Sequence, residues 1–218
     1  MGISSLNNNT RSINNIIKKI LNDPEKLMRY FAAILSGIAY IIYFKIFRNN
    51  VKIGFPFFAF TKVIIIGPGI VVINKGCRVH KNVFRGLTIV THSVDSLVFI
   101  GAKSLLGGLT IRCHEHIELG EKTMTAVSLL QDSLFYNADN VCSQVNTNIS
   151  FRSNPIIIGT NVWLGQECIV LGGSKVGNDS VLAAGTWCFG NQISDYSLVS
   201  GNSAKRPIPI DKLLKLKG

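Results

Sequence analysis

Four histidines, His80, His92, His114 and His116, are the side chains of this sequence best suited to take up and return a proton near neutral pH. Two of them sit close together as His114-x-His116. The five cysteines, Cys77, Cys113, Cys142, Cys168 and Cys188, are odd in number, widely spaced and without a CxxC pair. They therefore suggest neither a zinc cluster nor a disulfide framework, and no metal is expected. Reduced thiols in a cytoplasmic protein are the simplest reading.

The elements that must position these groups are constrained by composition. The chain has 218 residues, of which 47% are hydrophobic and only 16% charged, which excludes a disordered chain and a coiled coil. Lys and Arg outnumber Asp and Glu by 23 to 12, so the surface attracts anions: nucleic acid, an acidic membrane face or a phosphorylated cofactor. Nucleic acid is not expected, because no groove motif of interleaved aromatic and basic residues is present. Residues 1–10 are rich in Asn and Ser, and no secretory leader is expected.

The clearest pattern is a repeat. Ile158, Leu164, Val170, Val176, Leu182 and Cys188 recur at a six-residue period. The next residue is mostly very small (Gly159, Gly165, Leu171, Gly177, Ala183, Phe189). The fourth is mostly small or β-branched (Val162, Cys168, Ser174, Ser180, Thr186, Gln192). Six is neither a helical period nor a simple alternation. It fits short strands with one inward aliphatic residue each, followed by a tight corner on which the next coil stacks. Three hexads make one triangular coil, with pairs such as Asn178-Asp179 and Gly172-Gly173 at corners.

The pattern continues more loosely through residues 51–130. Ile100-Gly101 and Leu119-Gly120 start hexads, with Ile66-Gly67 a weaker start. The interval from 100 to 119 implies one inserted residue. It is lost over 131–154, an Asn- and Ser-rich stretch read as a loop leaving a corner. Before the repeat, Ile13, Ile16, Ile17, Ile20 and Leu21 mark one helix face, and Asp23-Pro24-Glu25 starts a second helix. That helix contains fifteen uncharged residues, Tyr30 to Phe44, bounded by Arg29 and Lys45. This is short of the roughly 20 that a bilayer span needs. Two readings remain: packing on the protein or another subunit, or lying in a membrane interface with Lys18, Lys19, Lys26, Arg29, Lys45 and Arg48 near anionic headgroups.

Three segments carry a resemblance. Ile157-Ile158-Gly159-Thr160-Asn161-Val162-Trp163-Leu164-Gly165 resembles the IGxxVWIG signature of hexapeptide-repeat acyltransferases. Leu182-Ala183-Ala184-Gly185-Thr186 resembles their IGAGS segment, and Gly201-Asn202-Ser203-Ala204-Lys205 their closing GNPAK, with Ser203 in place of proline. The subgroup most similar contains bacterial surface-polysaccharide O-acetyltransferases. The resemblance implies a mainly β fold, a left-handed parallel β-helix behind an N-terminal helical segment. It also implies a homotrimer, acetyl-CoA as donor and a sugar hydroxyl as acceptor. By motif match, Gly165 and Gln166 line the pantetheine, Ala183 and Ala184 contribute backbone groups, and Lys205 meets the phosphates with Arg206 assisting.

The family's loop histidine, in a stretch like DxDFH, is missing: Asp132-Ser133-Leu134-Phe135-Tyr136 puts tyrosine there. A phenol is a poor base at neutral pH. Repeat geometry reads Glu115-His116 as the corner after Cys113, one coil below the loop root at 133–134. His116 is accordingly the leading candidate base and His114 the second, while His80 and His92 receive structural or surface roles. The HxxxxH spacing of β-helix carbonic anhydrases is absent. The expected organisation is a basic, apolar helical segment over 1–50, the β-helix over 51–204 and a basic tail over 205–218. The expected protein is cytoplasmic, at or near the inner membrane face. A catalytically degenerate trimeric scaffold at the membrane is the alternative function.

Overall fold

The computed structural model describes residues 23–80, 86–133, 153–202 and 208–209. Helix α1 (Pro24–Phe47) begins where the sequence signals it: the Asp23 carboxylate accepts the Lys26 N–H at 3.1 Å, with proline and Glu25 in the first turn. The amphipathic stretch at 13–21 lies outside the described residues. One face of α1, with Ala33, Gly37 and Phe44 buried, packs on the first coil of the β-helix. Gly37 is required there, because a Cβ would collide with the Phe57 carbonyl oxygen.

From Val51 the chain winds through three parallel sheets. The first contains β1 (Val51–Ile53), β4 (Ile70–Ile73), β7 (Leu97–Ile100), β10 (His116–Leu119), β13 (Ile156–Ile158), β16 (Lys175–Val176) and β19 (Gln192–Ile193). The second contains β2 (Phe58–Ala59), β5 (Arg78–His80), β8 (Leu105–Gly107), β11 (Met124–Ala126), β14 (Trp163–Leu164), β17 (Val181–Leu182) and β20 (Ser197–Val199), with β21 (Ile208–Pro209) added antiparallel. The third contains β3 (Val63–Ile66), β6 (Leu87–Thr91), β9 (Thr110–Cys113), β12 (Leu129–Gln131), β15 (Ile169–Leu171) and β18 (Trp187–Phe189). Successive strands fall on the three sheets in turn, which is a parallel β-helix, and it is left-handed.

All six hexad residues from Ile158 to Cys188 are buried, and they stack in columns: Leu164 on Leu182, Val170 on Cys188, Ile158 on Val176. Each buried aliphatic side chain stabilises by about 1.5–3 kcal/mol, so the columns are the main source of stability. The corner pairs also stand as expected. Asn178 and Asp179 form a turn, and their edge is laddered by Thr160 N–H to Asn178 Oδ1 at 2.8 Å and Asn161 Nδ2 to Asp179 Oδ1 at 2.7 Å.

Two hexad positions are corrected. The period slips by one after Cys188, since Val176 pairs with Ile193: Ile193 takes the inward place that an unbroken period gives to Ser194, and Gln192, in the small or β-branched position four residues after Cys188, is exposed. Ile66 ends β3 with 54% of its surface exposed, and Ile73 occupies the column of Ile100 instead. Both follow from residues lost or gained at corners, which shift the register of everything beyond them.

Candidate active site

The third sheet feeds the first across an edge that carries three of the four histidines. The corner after β9 consists of His114 and Glu115, because β9 continues to Cys113 and His116 already starts β10. This corrects the Glu115-His116 corner. Thr110 pairs with Leu129, a coil of nineteen residues and not eighteen, so the residue stacked on Ser133 is His114 and not Glu115. Ser133 bridges Ser153 antiparallel, so the chain leaves and rejoins the coil at one point above His114. Tyr136 and the rest of 134–152 lie outside the described residues.

Asp132 organises this edge. Its carboxylate is 1% exposed and accepts three consecutive backbone N–H groups: His114 at 2.8 Å, Glu115 at 2.7 Å and His116 at 3.1 Å. Three convergent N–H donors are a nest for an anion, here filled by the protein's own carboxylate. The nest fixes the backbone from which both candidate histidines project. Glu115 is tied to the loop's return strand, accepting the Ser153 hydroxyl at 2.8 Å. His116 Nε2 lies 3.4 Å from Glu118 Oε2 along β10, and both side chains are partly exposed.

His92, read from the sequence as a structural or surface residue, lies on the same edge. Thr91 pairs with Cys113, which sets His92 one coil beneath His114, with its N–H on the Cys113 carbonyl at 2.9 Å. Burial pushes the His92 pKa down, and the neighbouring His114 and Arg112 push it further, against the pull of Asp132. His80 lies elsewhere, stacked on Phe60 at 4.4 Å. Neither His92 nor Asp132 stood out in the sequence, because only the coil register brings residues 92, 114 and 132 to one edge.

The described thiols are unsuited to nucleophilic work. Burial raises all four: Cys77 to about 11, Cys188 to about 12, and Cys168 and Cys113 also upward, with Asp132 adding to the shift at Cys113. They stay protonated at neutral pH.

The residues matched to the donor fall on a different edge, where the second sheet feeds the third. Gly165, Gln166, Ala183 and Ala184 stack on two successive corners; Gln166 and Ala184 are exposed and Ala183 is half-buried. A Cβ on Gly165 would lie 2.7 Å from the Ala184 nitrogen, so coil stacking alone demands that glycine. The corner is closed by the Gly185 N–H on the Gln166 carbonyl at 2.8 Å. Lys205 and Arg206 lie outside the described residues. Within one chain, then, the histidine edge and this small-residue edge bound opposite sides of the third sheet and do not meet.

Among solved structures the chain is similar to AntD, an N-acyltransferase from Bacillus cereus. A single-site mutant of AntD in complex with dTDP and coenzyme A gives a TM-score of 0.58 at 16% identity, covering 81% of this chain and 92% of that one. A second mutant, in complex with dTDP-4-amino-4,6-dideoxyglucose and coenzyme A, gives 0.50 at 15% identity, covering 76% of this chain and 89% of that one. At such identities the likeness is one of fold, and it is the left-handed β-helix of hexapeptide-repeat acyltransferases. No family model and no curated protein matches the chain.

Proposed function

We propose that this protein is an acyltransferase that moves an acetyl group from acetyl-CoA to a sugar hydroxyl, acting as a homotrimer on a bacterial surface polysaccharide or its precursor. The observation that carries the reading is the Asp132-braced edge, which presents His116 beside Glu118 near the bridge between Ser133 and Ser153. In the reaction His116 takes the hydroxyl proton as the oxygen attacks the thioester carbonyl. The C–O bond forms, the C–S bond breaks, and the imidazolium returns the proton to the departing thiolate. Glu118 orients the ring. The protonated state of the described cysteines favours this direct transfer over an acyl-cysteine intermediate.

The trimer reading draws on the outer faces. Leu105, Met124, Trp163, Val181 and Leu198 form one in-register outward row on the second sheet, and Leu129, Ile169 and Trp187 another on the third. Trp163 is 52% exposed in the single chain. Contiguous apolar rows of this kind mark contact surfaces. A neighbouring copy would bring its small-residue edge, with Gly165, Gln166, Ala183 and Ala184, against the histidines of the first. AntD, solved with coenzyme A and an amino-sugar nucleotide, supports the same donor and a sugar acceptor.

That likeness also favours a second reading, N-acylation of an amino sugar carried on a nucleotide. Incubation with acetyl-CoA and either a hydroxyl-bearing oligosaccharide or an amino-sugar nucleotide, followed by mass spectrometry, separates the two. An acetyl mass increment on the oligosaccharide supports the first reading, and one on the nucleotide sugar the second. An increment on neither, with no thioester consumed, leaves the non-catalytic scaffold.

A further inference from the structure

Helix α1 is apolar on two sides, and among the described residues only one of them is covered by the chain itself. The inner side, with Gly37 seated on the Phe57 backbone and Phe44 in the core, is fixed to the first coil. On the outer side Met28, Phe31, Leu35, Ile42 and Ile46 are 72%, 63%, 51%, 52% and 65% exposed. Their spacing follows the helical repeat, so they form one stripe about 27 Å long. No charged residue interrupts α1 between Arg29 and Lys45. By length and composition alone the helix could cross a membrane.

Charge decides what covers the stripe. Exposed Lys26 and Arg29 stand at one end, where their side chains border a hollow against Phe60 and His80 of the coil, and exposed Lys45 and Lys52 at the other. Asp23 and Glu25 are the acidic residues near it, and Asp23 is engaged as the helix cap. At the C-terminal end a groove runs between α1 and β1, with Ile41 and Ile53 in its lining and Lys45 and Lys52 at its rim. Arg48 also borders that groove, but its guanidinium is held by the Gly67 carbonyl at 2.6 Å. Cations at both ends mean that an antiparallel pair of such helices would set Lys26 and Arg29 against the other copy's Lys45 and Lys52. Like charges at close range oppose that pairing. An anionic lipid surface satisfies both ends and the stripe together.

We propose that α1 holds this protein on the surface of an anionic bilayer, lying in the membrane plane with its outer stripe in the acyl boundary and the four cations at the headgroups. A spanning arrangement would strip Ala33, Gly37 and Phe44 from the first coil, so the helix lies on the membrane and does not cross it. The inference is independent of acyl transfer, since none of its residues belongs to the histidine or small-residue edges.

The test is co-sedimentation of the full chain with vesicles of phosphatidylcholine containing one third phosphatidylglycerol, against phosphatidylcholine alone, at low and high ionic strength. Binding to the mixed vesicles that weakens with salt and is far lower on the neutral ones is expected. Leu35→Asp with Ile42→Asp should lower partitioning by more than about tenfold, and Lys45→Gln or Lys52→Gln by about fivefold each. All are surface changes, and an unaltered thermal melt establishes folding; Leu35→Ser with Ile42→Ser is the milder pair should the aspartates disturb it. Wild-type protein that ignores the mixed vesicles at low ionic strength overturns the proposal. So do folded variants that bind as tightly as wild type. Stripe substitutions that shrink the oligomer, without vesicle binding by the parent, reassign the stripe to a contact between copies.

Discussion

The two long edges on either side of the third sheet are built in opposite ways. Along the small-residue edge the path from one inward column to the next is ten residues from Val79 to Ile89 and nearly constant beyond that coil: five residues from Leu106 to Ile111 and from Thr125 to Leu130, six from Leu164 to Val170 and from Leu182 to Cys188. Along the histidine edge it varies: eleven from Ile89 to Ile100, eight from Ile111 to Leu119, a long excursion after Leu130, then six from Val170 to Val176. A β-helix tolerates insertions at corners because only the inward columns must keep register. From the third coil on, the insertions gather at the edge that carries His114 and His116, while the other edge keeps a smooth backbone rail. In the proposed reaction the uneven edge holds the proton acceptor and the smooth edge lies along the acyl donor.

The largest effect separating the edges is expected at His116. Its change to Ala should lower the transfer rate by about 10²–10⁴-fold, the range for losing a general base, with the thermal melt unchanged. His114→Ala should cost less, and single-turnover rates on both variants rank the two. If His114→Ala is the more damaging, the base sits at the corner itself. Asp132→Ala attacks the brace behind them. It leaves the N–H groups of residues 114–116 buried without their acceptor and should cost about 3 kcal/mol in denaturant unfolding. Asp132→Asn, which keeps an acceptor oxygen, should cost less.

On the opposite edge Gly165→Ala tests whether stacking or ligand contact keeps the glycine. Its Cβ would crowd the Ala184 backbone, so a loss of about 1–3 kcal/mol is expected even without ligand. The smallest effect concerns pH. His92 binds its proton more weakly folded than unfolded, so below the ordinary value of 6.5 the unfolded chain takes up more protons. The associated stability is complete above that pH and declines as pH falls below it. A melt series from neutral to mildly acid pH should show the decline for wild type and a flatter profile for His92→Gln.

Much of this was legible from residues 156–189, where an unbroken period of six fixes every inward position. Legibility failed wherever a corner changed length. One residue lost after Cys188 put Ile193 in the inward place of Ser194, and a lengthened corner moved the turn from Glu115-His116 to His114-Glu115. The brace by Asp132 and the approach of His92 depend on stacking across coils, which no local spacing encodes. Val127, a β-branched residue at φ 38° in a corner of the small-residue edge, also breaks the local rule that reserves such a backbone for glycine or asparagine. For α1, the start was written in Asp23-Pro24-Glu25, whereas the exposure of Met28, Phe31 and Leu35 required the first coil to be in place.

The division of labour between edges is tested most directly by mixing two defective chains. His116→Ala removes the base from one edge, and Ala184→Trp obstructs the other, where Ala184 is exposed. Each alone should be nearly inactive in acetyl transfer. Unfolded together in equal amounts and reassembled, they form rings in which about one contact in four joins an intact histidine edge to an intact donor edge. Recovery of about a quarter of the wild-type rate is the expected result. A mixture no more active than its two components contradicts a site shared between neighbouring copies.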